Sequence, residues 1–213
     1  MIFIKKFAFN PVQVNTFVLY DETHEAVIID AGCYNSGERQ KLDDFIAQEK
    51  LKPVLLLNTH CHFDHLMGTE YVRSKYNIEF AAHDGDRFLI ENAVEHGDLF
   101  GIPMEPVSLP NRLLCDGQII HFGHSELQVL HVPGHSPGSV AYYNRDQKFV
   151  IVGDVLFYGS IGRTDLPLGD FDTLIHSIRT KLLSLDEDVK VFSGHGPETN
   201  IAYEKANNIY LIA

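Results

Sequence analysis

Three histidines and an aspartate fall within the six residues His60-Cys61-His62-Phe63-Asp64-His65. Neutral imidazole suits zinc, iron and copper, whereas carboxylate suits harder cations, so this mixture reads as a borderline transition-metal site. In an extended or tightly turning segment side chains repeat with period two, which sends His60 and His62 one way and Cys61 and Phe63 the other. If the chain then turns into a helix, Asp64 and His65 swing to an adjacent position. One short segment can thus offer four ligands to two ions. Three more candidates lie far along the chain. His135 sits among the turn residues of HVPGHSPGS, Asp154 ends the apolar run FVIVGD, and His195 ends VFSGH. Each stands where a strand gives way to a loop, the place where sites in layered sheet folds collect. A closed structural zinc site needs four ligands. Seven exceed that number, and two divalent ions sharing one carboxylate fit it better. Zinc is the expected metal, with iron or manganese as alternatives, because ligand type sets affinity while supply chooses among the three.

Each position also has a plainer reading. A lone histidine at a strand end is usually hydrogen-bonded or solvated. The weight lies in the fixed offsets of His-x-His-x-Asp-His, and it carries His135, Asp154 and His195 with it. The remaining histidines (His24, His83, His96, His121, His124, His131 and His176) lack such context and read as surface or core residues. Cys33, Cys61 and Cys115 read as small buried apolar residues rather than ligands or nucleophiles.

The elements that must position these groups follow from periodicity. IFIKKFAF, VNTFVLYD and EAVIID read as strands. Glu38 to Lys50 has helical spacing, with Ser36 as a candidate cap. PVLLLNT, opened by Pro53, is a continuous apolar run of the kind a strand buried on both faces shows, and its end delivers the histidine cluster. Helical spacing is expected from Gly68 to Tyr76, from Asp86 to His96 and from Phe171 to Leu185. Strands are expected at IEFAAH, QIIHFG, ELQVLHV, SVAYYN, KFVIVGD and VKVFSGH, followed by a final helix. Residues 97–117 hold prolines and glycines without a clean period and read as a long surface loop. This order implies sheets packed together with helices outside, in one domain spanning 1–213.

The chain has 17 basic and 29 acidic residues among its 213, a net charge of −12. Phosphate would be repelled, which argues against nucleic acid or an anionic membrane as partner. No window approaches the apolar length of a membrane span. Asn10, Pro11, Gln13 and Asn15 interrupt the N-terminal apolar stretch, and the cysteines show no paired spacing, so a cytoplasmic location is expected. Oligomeric state is not legible here.

THCHFDH, GHSPGS, GDVLF and SGHG, in this order and spacing, resemble the metallo-β-lactamase-fold hydrolases, and AVIIDAG (26–32) is similar to that family's first motif. The resemblance implies an α/β fold, a four-layer αβ/βα sandwich with the metals at one edge. It assigns His60, His62 and His135 to one metal and Asp64, His65 and His195 to the other. Asp154 bridges the two, and Asp30 organises them from behind. An aspartate at the bridge and no cysteine among the ligands is similar to the glyoxalase II branch. GSIGRTDLPLGD (159–170) resembles the small, single-domain glyoxalase II-like proteins, which end before the helical domain of glyoxalase II proper. Gly196-Pro197-Glu198 and Arg163 depart from that enzyme's acidic, tyrosine and lysine positions, so the resemblance carries metal chemistry further than glutathione recognition.

The resemblance implies hydrolysis of a small-molecule thioester such as S-lactoylglutathione by a hydroxide held between two metal ions, with Asp64 both ligand and proton acceptor. Arg163 and Tyr158, in the loop beyond Asp154, are the candidate substrate contacts. Arg163 equally has partners at hand in Asp165 and Asp170. The same residues also fit three alternatives: a mononuclear-iron persulfide dioxygenase of the same fold, a lactonase or other ester hydrolase, and a metal-stabilised binding module without catalysis.

Overall fold

The computed structural model describes residues 1–212. Two six-stranded sheets face each other. The first runs in sequence order: β1 (Phe3–Phe9), β2 (Val14–Tyr20), β3 (Glu25–Ile29), β4 (Lys52–Leu57), β5 (Glu79–His83) and β6 (Arg112–Leu114). The second contains β7 (Ile119–Phe122), β8 (Ser125–His131), β9 (Val140–Asn144), β10 (Phe149–Gly153), β13 (Lys190–Ser193) and β14 (Thr199–Asn200), in the order β14-β13-β10-β9-β8-β7. A short hairpin, β11 (Leu156–Phe157) with β12 (Ser160–Ile161), follows Asp154. Helices α1 (Ser36–Gln48), α2 (Phe63–Leu66), α3 (Thr69–Tyr76), α4 (Arg87–Glu91) and α5 (Ala93–Leu99) accompany the first sheet; α6 (Phe171–Ser177) and α7 (Ile201–Asn207) accompany the second.

Side-chain alternation explains the layering. Along β2, β3 and β4, Phe17, Leu19, Val27, Ile29, Leu55 and Leu57 face the other sheet, where Ile120, Leu127, Val129, Tyr142 and Ile151 meet them. The intervening Val18, Ile28 and Leu56 face outward, under Leu42, Ile46, Leu66 and Val72 of the helices. On the far side Val150, Val152 and Val191 pack beneath Leu174, Ile178 and Ile201. Strands apolar on both faces must be covered on both. Three cores between four layers result, the α/β sandwich expected from the sequence.

Several boundaries differ from the sequence reading, for local reasons. Asn35, not Ser36, caps α1: its Oδ1 accepts from Glu38 N at 3.0 Å and Glu38 returns the contact, a capping box. The stretch expected as one helix from Asp86 to His96 follows a 3-10 turn (Asp84–Asp86), from which the Asp86 side chain reaches inward, and breaks into α4 and α5 at Asn92, whose Nδ2 donates back to Phe88 O at 2.8 Å. The helix expected from Phe171 to Leu185 ends as α6 and continues as a π-helical turn over Ile178–Leu182. The loop expected over 97–117 begins inside α5 and contains β6, which pairs in parallel with β5. Cys33 and Cys61 are buried as expected, but Cys115 is exposed just past β6.

The sheets converge at the strand ends that matter. Thr59, just past β4, accepts from Val140 N at 2.7 Å, and the Tyr142 hydroxyl donates to Asn58 O at 2.6 Å. Asn15 N donates to Gly194 O at 2.7 Å, and Val14 bridges to His195. The opposite rim is closed by Asp21, whose carboxylate accepts from Thr23, from His124 N at 2.7 Å and from Ser125 Oγ at 2.8 Å. Burial alone would raise its pKa, but the Thr23, Ser125 and His124 donors outweigh it and bring it down to about 2. A depressed folded-state pKa contributes stability above the unfolded-state value near 4 that is lost as pH falls through the folded value. Asp21→Asn is therefore expected to cost on the order of 2 kcal/mol at pH 7. Denaturant unfolding should show the gap to the parent protein closing between pH 4 and pH 2.

Candidate metal centre

All seven residues singled out from the sequence meet at one edge of the sandwich. The loop after β4 brings His60 and His62, and α2 turns Asp64 and His65 in beside them. The loop before β9 carries His135; the ends of β10 and β13, parallel neighbours, carry Asp154 and His195. Three overlapping groups form: His60, His62 and His135; His60, His65 and Asp154; Asp64, His65 and His195. In each, the candidate ligand atoms all lie within 4.8 Å of one another.

The outward face of each ring decides what points inward. Thr59 Oγ1 donates to Asp30 Oδ2 at 2.7 Å, so at 3.2 Å from His60 it can only accept, which places the His60 proton on Nδ1. His135 Nδ1 donates to Arg163 O at 2.8 Å, and His195 Nδ1 donates to Val12 O at 3.0 Å. His65 Nδ1 lies 3.1 Å from Asp30 Oδ2. With the outer nitrogens of His60, His135 and His195 donating, each of these rings in its neutral form turns an Nε2 lone pair into the centre. There His135 Nε2 lies 3.3 Å from His60 Nε2 and 2.9 Å from His62 Nδ1. His195 Nε2 lies 3.3 Å from Asp64 Oδ2 and 3.5 Å from Asp154 Oδ2, while His65 Nε2 is 3.5 Å from Asp154 Oδ1. The centre is a buried concentration of acceptors, and His65 Nε2 and Asp154 Oδ1 have no hydrogen-bond partner. Such groups need cations to be stable there, and N/O donors of this kind fit divalent transition ions.

The two halves differ electrostatically. Burial and the neighbouring histidines push His60 well below the ordinary range; burial and His135 bring His62 down to about 3. In the other half burial also opposes charge on His65, but Asp64, Asp30 and Asp154 outweigh it and raise its pKa strongly. Burial would raise Asp64 and Asp154, yet the positive character of His65 and His195 carries both down. One half is thus a neutral three-imidazole face. The other is an anionic one, and Asp154 lies between them, 3.9 Å from His135 Nε2 as well.

The scaffold behind the ligands is itself polar and buried. Asp30 adopts a left-handed backbone (φ 54°), a conformation aspartate tolerates better than most residues. Its Oδ1 accepts from Thr59 N at 2.7 Å, and its own carbonyl accepts from Thr16 Oγ1 at 2.6 Å. Asn58 Nδ2 donates to His60 O and His65 O, and Asn10 Nδ2 donates to Asp64 O, so two amides hold the ligand loop closed. Asp86, fully buried, accepts from Cys61 N at 2.9 Å, Ser136 Oγ at 2.8 Å and Gly138 N at 2.6 Å. It locks the loop of His60 and His62 to the loop of His135. At Gly194 a Cβ would run into Asp154 Oδ1, and at Gly153 (φ 55°) into Thr59 Oγ1. Sequence reasoning anticipated Asp30 but missed Asp86, Asn58 and Asn10. Asp86 sits in the unremarkable run His83-Asp84-Gly85-Asp86, and its partners lie 25 to 52 residues away.

A cleft of about 480 Å³ opens over the centre, with His62, Asp64, His135, Asp154 and His195 on its floor and Arg163 in its wall. Of the two acidic partners expected for Arg163 it takes Asp165, to which Nε and Nη2 each donate at 2.7 Å, while Asp170 caps α6. Tyr158 does not line the cleft. Its exposed ring stacks on Tyr203 at 4.6 Å, because β11 and β12 turn the residue toward α7. His96, read from the sequence as an ordinary surface or core residue, does line it.

Comparison with known proteins agrees with this architecture. Residues 9–195 match the family model of the metallo-beta-lactamase superfamily. The hydroxyacylglutathione hydrolase GloC of Haemophilus influenzae is 38% identical over 201 residues, 93% of each chain. Among solved structures, the B3 metallo-beta-lactamase BLEG-1 superposes with a TM-score of 0.91 at 38% identity, covering 99% of this chain and 100% of its own. TTHA1623, solved in a di-iron-bound form, superposes at 0.88 and 35% identity, covering 97% and 100%. Sequence, layering and a dimetal-type His/Asp centre thus point the same way, and the chain belongs to the metallo-beta-lactamase superfamily as a metal-dependent hydrolase.

Proposed function

We propose that the protein hydrolyses a thioester of the S-lactoylglutathione type, with two divalent ions held by His60, His62 and His135 on one side, Asp64, His65 and His195 on the other, and Asp154 shared. The observation that carries this reading is the inward convergence of imidazole nitrogens from both sides onto one partly buried carboxylate beneath an open cleft. The hydroxyacylglutathione hydrolase relative supports the thioester as substrate class. The di-iron neighbour supports a two-ion centre and leaves iron as open as zinc or manganese. Two such ions, when bound, supply a water acidified toward neutral pH and a polarised substrate carbonyl.

The chain's own residues supply the rest. Asp64 lies at the cleft floor with its Oδ2 beside His195, placed to orient the attacking water and accept its proton. Thr59, with Asp30 behind it, orients the His60 ring, and Asp86 holds the two ligand loops in register, which spares reorganisation during reaction. The apolar cleft wall excludes water around the scissile bond. A thiolate leaves readily, so no strong general acid is required on the leaving-group side.

Asp154→Asn is expected to lower bound metal measurably, by elemental analysis, and thioester hydrolysis by at least ~10²-fold. Full activity with a full metal complement would overturn the shared-carboxylate reading. Asp86→Asn keeps shape but loses one charged acceptor; it is expected to weaken metal affinity ~10- to 100-fold by chelator competition, mainly at the three-imidazole half. The purified protein with glutathione persulfide in an oxygen electrode is expected to consume no oxygen. Uptake would replace hydrolysis with the mononuclear-iron dioxygenase reading.

A further inference from the structure

The walls of the cleft say more about the substrate than its floor does. Above the centre the lining is carried by Phe63, Leu99, Phe100, Leu166 and Pro167, with Val12 beside His195. Leu99 and Phe100, at the end of α5, are 76% and 52% exposed, large apolar groups held in water at the mouth of a site. They are not loosely placed. The Phe100 ring stacks on Phe63 at 5.2 Å and 22°, and Phe63 immediately follows the ligand His62. Gly97 fixes the turn behind them: its carbonyl accepts from Ile102 N at 2.9 Å at the C-terminal end of α5, and a Cβ on it would stand 2.6 Å from the Ile102 carbonyl. Isolated exposed apolar residues need no explanation, but a rimmed apolar wall at a concave site marks what the site receives.

The polar part of the wall is small. Arg163 is the one lysine or arginine among the lining residues, and its guanidinium is already forked onto Asp165. Glutathione carries two carboxylates, and the cleft offers them no free cation. An apolar group, by contrast, would cover Leu99 and Phe100 and gain the transfer free energy that their exposure now forgoes.

We infer that the Phe63, Leu99, Phe100, Leu166 and Pro167 wall is the specificity surface of the site, and that it selects thioesters bearing an apolar group next to the scissile carbonyl or on the thiol, larger and less polar than lactoyl. The inference rests on the thioester-hydrolase reading above. It assigns no role to glutathione's carboxylates.

The test uses the metal-loaded full chain and two series of thioesters. One varies the acyl group from acetyl through butanoyl to hexanoyl on N-acetylcysteamine; the other varies the thiol at constant acetyl, with glutathione included. Each methylene that reaches the wall should raise kcat/KM roughly fourfold. The series in which the rise occurs identifies the side of the carbonyl that faces α5. Exchanging N-acetylcysteamine for glutathione should change kcat/KM by less than about tenfold. Leu99→Ser, a change at a residue largely in solvent, should flatten the chain-length slope, and Phe100→Ser should do the same. Calorimetric titration with the corresponding S-alkyl thioethers, which cannot be hydrolysed, provides a readout independent of turnover: S-butyl should bind at least ~10-fold more tightly than S-methyl, and Leu99→Ser should reduce that ratio. Flat slopes in both series, or a preference of 100-fold or more for glutathione, would overturn the inference while leaving thioester hydrolysis intact. Absence of turnover with every member would instead overturn the hydrolase reading.

Discussion

The structure depends on one electrostatic constraint: a buried space lined almost entirely by acceptors. Five imidazoles and two carboxylates turn lone pairs toward each other across 2.9 to 3.9 Å. Left alone, such an arrangement would spread apart or take up protons. It stays together because the segments that carry the ligands are tethered from behind, by Asp30 and Thr59, by Asp86, by Asn58 and Asn10, and by backbone carbonyls of residues 12 and 163. Those tethers do two things at once. They pin geometry, and at His60, His135 and His195 they fix which ring nitrogen carries the proton, leaving the other available to a cation.

The sandwich makes this affordable because the tethers radiate into rigid layers. The ligand loops leave β4, β10 and β13, all interior strands with neighbours on both sides, so their ends move little relative to one another. Contacts between the sheets at Thr59–Val140 and Asn15–Gly194 then register the two halves of the centre directly. The three apolar cores set the layer spacing; the polar contacts set the angstrom-scale positions that the chemistry requires.

What was legible in the sequence follows from this division. The apolar run Val54–Leu57 and the FVIVG run announced buried strands by composition alone, and the ligands at their ends were conspicuous because His-x-His-x-Asp-His is rare by chance. Strand and helix order implied sheets packed together with helices outside, and the four-layer sandwich came from the family resemblance. Boundaries failed where a polar side chain bonded to nearby backbone and ended or started a helix there. The Asn92 side chain turned back to Phe88 O where α4 gives way to α5, and Asn35 out-competed Ser36 because Glu38 could reciprocate. Tyr158 was misplaced for another reason: nothing local distinguishes an aromatic that lines a cleft from one that stacks on Tyr203, 45 residues later. Asp86 carried no signal at all, since a buried carboxylate is identified by the donors that find it, and these come from two other loops.

The bond from His135 to the carbonyl of Arg163 has a consequence for how such a protein can change. The segment that walls the substrate cleft also orients a metal ligand, so recognition and metal geometry share one stretch of chain. Yet the shared contact is made by the backbone, while the Arg163 side chain points to Asp165. Side-chain replacement at that position is therefore decoupled from the metal centre, whereas insertion or deletion nearby is not. Selection or a designer can rewrite what this loop recognises residue by residue, provided its length and path are left alone.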